Sequence, residues 1–153
     1  MIGLEDKDRK STVNMLQALL ASEYVLAVKT RKFHRNVQSE YFMMFHEMFG
    51  EMYDHLNGQS DEIAERIRQL GEFPQGTMSE FLKSSFLNES VLPSPGCHEM
   101  VKELIADNDK MVAQMRVAIP KAEAVKDFGT MDLITKWMEL HEKDLYFLRS
   151  HVK

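Results

Sequence analysis

Four long stretches of this chain repeat apolar residues at helical spacing. The first runs from about Arg9 to Asn36, where Val13, Leu16, Leu20, Tyr24 and Val28 share one stripe and Leu19 and Leu26 widen it. That breadth predicts burial on more than one side. A second pattern runs from about Ser39 to Leu70, with Phe45, Met48, Phe49, Met52, Tyr53, Leu56, Ile63, Ile67 and Leu70 on a connected stripe. Gly71-Glu72-Phe73-Pro74-Gln75-Gly76 ends it with glycine and proline together. The third follows Pro93-Ser94-Pro95-Gly96 and carries Val101, Leu104, Ile105, Met111, Val112 and Met115, with Pro120 near its end or at a kink. The fourth spans about Thr130 to Val152 and uses Leu133, Ile134, Trp137, Met138, His141, Leu145 and Leu148. No segment reads as a strand.

Neighbouring antiparallel helices are normally joined by about two to eight residues, yet the second and third patterns are separated by far more. The chain is therefore expected to be all-α, a four-helix bundle with one long crossover that contains a short helix near Ser79–Leu87. The 153 residues suit one domain over 1–153, and 44% hydrophobic with 28% charged residues is the balance of a soluble globular chain. No apolar run is long enough to cross a membrane. Met1 to Asp8 lacks the apolar core and cleavage site of a signal peptide, so the expected compartment is the cytoplasm. Cys97 is the only cysteine and is read as an unpaired thiol. A net charge of −5 argues against a generic nucleic-acid binder, which neutralises phosphates with Lys and Arg.

Against this frame, His34, His46, Asp61 and Glu65 stand out as a candidate metal-ligand set. Asp61 and Glu65 are four apart and project from one face of the second helix, one turn above the other. His34 and His46 flank the expected break at Asn36-Val37-Gln38-Ser39, so a helix hairpin brings them to similar heights. His46 and Asp61, however, lie roughly 22 Å apart along one helix. Metal–ligand bonds are about 2 Å, so the two halves cannot share an ion within one chain. A two-fold axis that sets the histidines of one subunit against the carboxylates of another closes the site and makes it twice. Imidazole and carboxylate suit Fe(II), Mn(II) or Zn(II), and the ligand set alone does not choose among them.

The chain resembles the Dps-type mini-ferritins over most of its length. The stretch from Leu20-Ala21-Ser22-Glu23-Tyr24 to Phe33-His34-Arg35-Asn36-Val37 carries the likeness, followed by Phe45-His46-Glu47 and Asp61-Glu62-Ile63-Ala64-Glu65-Arg66-Ile67. Leu70 to Thr77, His141-Glu142-Lys143 and Leu148-Arg149-Ser150 also fit. The resemblance implies a ferritin-like fold and a dodecameric shell. It also implies a ferroxidase centre made of His34 and His46 from one subunit and Asp61 and Glu65 from its mate. Iron is the implied metal and hydrogen peroxide the implied oxidant, with ferric mineral stored inside as protection against oxidative damage. Glu47 and Glu51 resemble the acidic positions that seed mineral, and Asp127 and Asp132 resemble acidic pores through which iron enters. Thr130 and Asp132 equally suit a helix start, where a cap and a negative charge are favourable.

Two positions depart from the family pattern. Gly50 stands where a carboxylate commonly follows the second histidine by one turn, which leaves a second iron position open. Arg35 stands where tryptophan commonly follows the first histidine. Some family members compact DNA through a basic extension, but here Lys7, Arg9 and Lys10 alternate with Glu5, Asp6 and Asp8, so direct DNA contact is not expected. A shell with impaired ferroxidase activity is the other alternative. The four-residue spacing of Glu62 and Arg66 also allows a plain surface ion pair, the alternative to a metal-binding face here, and His55, His98 and His151 are read as surface residues. His141, on the apolar stripe of the fourth helix, is expected to hold a structural hydrogen bond. The twelve methionines are read as core or interface filling.

Overall fold

The computed structural model describes residues 2–91 and 96–152. Its described residues form five helices: α1 Asp6–Asn36, α2 Phe42–Gln69, α3 Met78–Ser84, α4 Cys97–Ala124 and α5 Phe128–Arg149. The proline-rich approach to α4 at 93–95 lies outside the described residues, and Gly96 is the helix N-cap.

Inter-helix contacts fix the topology. Along α1, Lys29 meets Asp107 while the earlier Glu23 reaches His141, beside Asn108. On α2, His55 meets Asp144, Glu62 meets Trp137, and Arg66 meets Thr130, so α5 runs antiparallel to α2. The α1–α2 hairpin turns in residues 37–41, and α4 joins α5 more tightly, through residues 125–127. A helix of α2's length spans about 42 Å, so α4 can start back at the far end of the bundle only after a long return. The segment between α2 and α4 carries α3.

Local chemistry sets the ends of the helices. Asp6 and Asp8 complement the positive end of α1, which begins at Asp6 and not at the expected Arg9. Ser39 does not join α2, because its hydroxyl accepts the Tyr41 N–H and holds the chain in a turn. A capping box of Thr77 and Glu80 starts α3. The helix stops at Ser84, short of the expected Leu87, because the Ser85 hydroxyl takes the Leu87 N–H and reaches Ser22 on α1. Asp127 caps α5 from before Thr130, which moves that helix start upstream of expectation.

The core follows the predicted stripes at Leu16, Leu20, Leu26, Phe49, Leu56, Ile63, Ile67, Met111, Met115, Ile134, Trp137 and Leu148, all buried, and adds Phe33 and Met100, whereas Val28, expected on the α1 stripe, is exposed. Met43, Met44 and Met78 are exposed, so only part of the methionine set fills the core of this subunit. Among the described residues, no helix is long and apolar enough to cross a membrane.

Candidate metal centre

His34 closes the last turn of α1, and His46 lies in the first turns of α2. The short hairpin stacks their rings at 3.7 Å between centroids. His34 Nδ1 lies 2.6 Å from the His46 carbonyl, and His46 Nδ1 lies 2.9 Å from the His34 carbonyl. A carbonyl only accepts, so each imidazole donates from Nδ1, which leaves Nε2 as the nitrogen whose lone pair a neutral ring offers. This reciprocal clasp fixes the orientation of both rings, the kind of support that histidine ligands of metals have in general. Phe42 stacks on His46 at 5.0 Å, Tyr53 meets His34 edge-on at 5.2 Å, and the Arg31 guanidinium lies over Tyr53.

Gly50 is part of the same arrangement. A Cβ built there would lie 3.3 Å from Nδ1 and Cε1 of His34. A side chain here would therefore press on the His34 imidazole, which would have to give by a few tenths of an ångström. Glycine within a helix costs about 1 kcal/mol relative to alanine. Gly50→Ala is accordingly expected to leave thermal stability near that of the parent, the helix gain being set against a displaced ring, and to weaken metal binding through His34. Parallel melting curves and anaerobic metal titrations check this, and unchanged affinity would show that the close packing is not needed.

Asp61 and Glu65 are exposed, one turn apart on α2, and make no hydrogen bond or ion pair among the described residues. Their neighbours face inward to α5. Glu62 accepts from Lys136 and from Trp137 Nε1, which hold its carboxyl below the usual carboxylate range. Arg66 pairs with Asp127 at 2.6 Å and donates to Thr130. Glu62 and Arg66 are thus not paired with each other, although their four-residue spacing allows it. Each is drawn to a partner on or before α5 because its side of α2 packs there. The continuous α2 keeps Asp61 about 22 Å from His46. Among the described residues, no three His, Cys, Asp or Glu side chains gather where one ion could be held. The histidine pair and the carboxylate pair therefore lie apart within one chain.

This geometry belongs with a known group of proteins. The ferritin-like domain family model matches residues 13–153. A DNA protection during starvation protein of Porphyromonas gingivalis is 32% identical over 97% of this chain and 93% of its own. The chain belongs to the Dps family of ferritin-like proteins. An uncharacterized low temperature-induced protein of Nostoc is 36% identical over 99% of this chain and 86% of its own. The Dps protein of Vibrio cholerae, described as a member of a broad superfamily of ferritin-like diiron-carboxylate proteins, matches with a TM-score of 0.95. It is 29% identical, with 100% of this chain and 96% of that chain covered. The expected all-α bundle with one long crossover is the Dps form of the ferritin-like fold.

Other expectations for this Dps-family chain resolve residue by residue. Glu47, Glu51 and Asp132 are exposed and make no hydrogen bond or ion pair among the described residues. Asp127 differs from the pore expectation, because it is buried, caps α5 and is neutralised by Arg66. Arg35 is exposed, while Trp137 is fully buried and bound to Glu62, so the rings against the two histidines are Phe42 and Tyr53. His98 is exposed as expected, but His151 is half-buried against Phe45. His55 is a correction too: it bonds to Gln59 and Asp144 inside the bundle. Its spacing from Met52, Leu56 and Gln59 on the inner face was the sequence signal for this. His141 is fully buried between Asn108 and Glu23.

Proposed function

We propose that this chain is a ferroxidase subunit of a hollow homo-oligomer, a dodecamer, that stores iron and protects against oxidative damage. His34 and His46 of one subunit and Asp61 and Glu65 of the partner subunit together bind Fe(II). The observation that carries this reading is the contrast between the two pairs: histidines clasped through Nδ1 whose Nε2 atoms have no partner among the described residues, and carboxylates one turn apart on α2 that likewise have none there. Two soft-edged nitrogens and two hard oxygens suit Fe(II), and Zn(II) or Mn(II) compete for the same set.

Hydrogen peroxide is the proposed oxidant. Two Fe(II) ions each give one electron, the O–O bond breaks, and two hydroxides form, so no hydroxyl radical is released. The carboxylates offset the charge gained at iron, and the clasped imidazoles keep their Nε2 lone pairs directed without reorganisation. Ferric product then collects at acidic interior positions, for which Glu47 and Glu51 are the candidates, and Asp132 remains the candidate for the entry path.

Gly50 shapes the stoichiometry. With no carboxylate one turn after His46, we expect one tight Fe(II) per centre, and the second electron comes from a more weakly held ion. Anaerobic Fe(II) titration of the assembled protein, followed by peroxide, tests this. One tight equivalent per centre and oxidation without detectable radical are expected, whereas no saturable Fe(II) binding would remove the ferroxidase reading.

A further inference from the structure

The inner faces of the four long helices bring polar side chains together in the bundle. Glu23 comes from α1, His55 and Gln59 from α2, Asn108 from α4, and His141 and Asp144 from α5. Glu23 and His141 are fully buried, and Gln59, Asn108 and Asp144 nearly so. The proposed metal centre uses none of them.

Backbone carbonyls fix how the two amides are turned. Asn108 Nδ2 donates to the Leu104 carbonyl at 2.8 Å, which directs Asn108 Oδ1 at His141 Nδ1, 2.7 Å away. Gln59 Nε2 donates to the Trp137 carbonyl at 3.4 Å, which directs Gln59 Oε1 at His55 Nδ1, 3.1 Å away. An amide oxygen only accepts, so both imidazoles carry hydrogen on Nδ1. Each Nε2 then faces a carboxyl group. His141 Nε2 is 2.8 Å from Glu23 Oε1, and His55 Nε2 is 2.9 Å from Asp144 Oδ2. A neutral imidazole of this tautomer offers a lone pair at Nε2, and an ionised carboxylate offers only lone pairs. Two acceptors do not rest at hydrogen-bond distance without a proton between them.

We infer that the bundle interior is a proton-binding site, in which the Glu23–His141 and Asp144–His55 pairs each hold one proton at neutral pH and so lock α5 to its neighbours. The proton count is the same whether it sits on nitrogen or on the carboxyl oxygen, and each pair is neutral overall. Through these groups α5 is tied to α1 by Glu23, to α2 by His55 and to α4 by Asn108. Loss of a proton leaves one uncompensated negative charge in a buried place, which is costly. Glu23 Oε2 has no partner among the described residues that would share that charge. Nearby charges are already engaged: Lys29 of α1 is paired with Asp107 and Glu103 of α4.

Alkaline pH is the side on which this lock fails. Burial pulls the His55 imidazole down, but the hydrogen bond and charge of Asp144, with Gln59, outweigh it and hold the group above the ordinary histidine value. A group raised on folding contributes stability that is fully present below its unfolded value, about 6.5, and is lost as pH rises through the folded value.

Thermal unfolding of the assembled protein from about pH 6 to about pH 10 tests the inference. In Glu23→Gln combined with Asp144→Asn, each amide N–H satisfies a neutral imidazole without a titrating proton. The parent's melting temperature is expected to fall on the alkaline side, and the double variant is expected to lose most of that fall. Equal falls in both proteins would overturn the inference. Infrared and histidine nitrogen NMR spectra of the parent at neutral pH give a reading that needs no variant. A doubly protonated imidazole or a protonated carboxyl in each pair supports the inference, and neutral imidazoles facing ionised carboxylates would contradict it.

Discussion

Changing Asp61 to Asn and Glu65 to Gln together is expected to remove tight Fe(II) binding and slow peroxide-driven oxidation by more than about 100-fold. Even outer-shell partners of metal ligands are worth about 10–100-fold, and these two changes remove both proposed carboxylate ligands. The fold has little reason to respond. Both side chains are exposed and without partners among the described residues, and surface substitutions of this kind usually stay within about 0.5 kcal/mol. The measurement pairs anaerobic Fe(II) titration with a melting curve and a size determination of the same preparation. Uptake and oxidation rates equal to those of the parent, in an assembly of unchanged size, would take Asp61 and Glu65 out of the mechanism.

The largest expected loss of stability comes from Trp137→Ala. Trp137 is fully buried, and its Nε1–H donates at 2.9 Å to Glu62, so one side chain both fills the core and ties α5 to α2. Truncating a buried tryptophan costs about 3–5 kcal/mol, which for a chain of this size lowers the melting temperature by on the order of 10 °C. Phenylalanine at this position would keep much of the packing and lose the hydrogen bond, so it is expected to fall between the parent and the alanine variant. Chemical denaturation of the three proteins checks the order. A Trp137→Ala protein as stable as the parent would show that the bundle repacks around the space.

How far the sequence could be read follows from the range of the forces involved. Helical stripes depend on local spacing, so the four long helices and the crossover were legible, and the break between Asn36 and Ser39 placed His34 opposite His46. Helix ends were less legible, because hydroxyls decide them: Ser39 holds a turn, Ser85 stops α3, and Asp127 starts α5. Charges on the inner edges of α2 were ambiguous for a related reason. A four-residue interval makes Glu62 and Arg66 look like partners, but Lys136, Trp137 and Asp127 become available only when α5 packs alongside. His55 needed the same tertiary information.

Gly50 shows the difference most clearly. Read along the chain, it is a missing ligand; in three dimensions, it is the surface on which His34 lies at 3.3 Å from a would-be side chain. The reciprocal carbonyl bonds of the two histidines were likewise invisible in sequence, although the hairpin that makes them was not.

A mixed oligomer tests the two-fold centre most directly. One subunit carries His34→Ala and His46→Ala, the other carries Asp61→Asn and Glu65→Gln, and each alone is expected to be inactive. When the two are refolded or co-expressed together in equal amounts, half of the two-fold pairs are mixed. Each mixed pair holds one centre with all four ligands, which restores about a quarter of the parent's centres. Recovery of tight Fe(II) binding and oxidation at about that level is the predicted result. A mixed assembly as inactive as its two parents would contradict the shared centre and require every ligand to come from a single subunit.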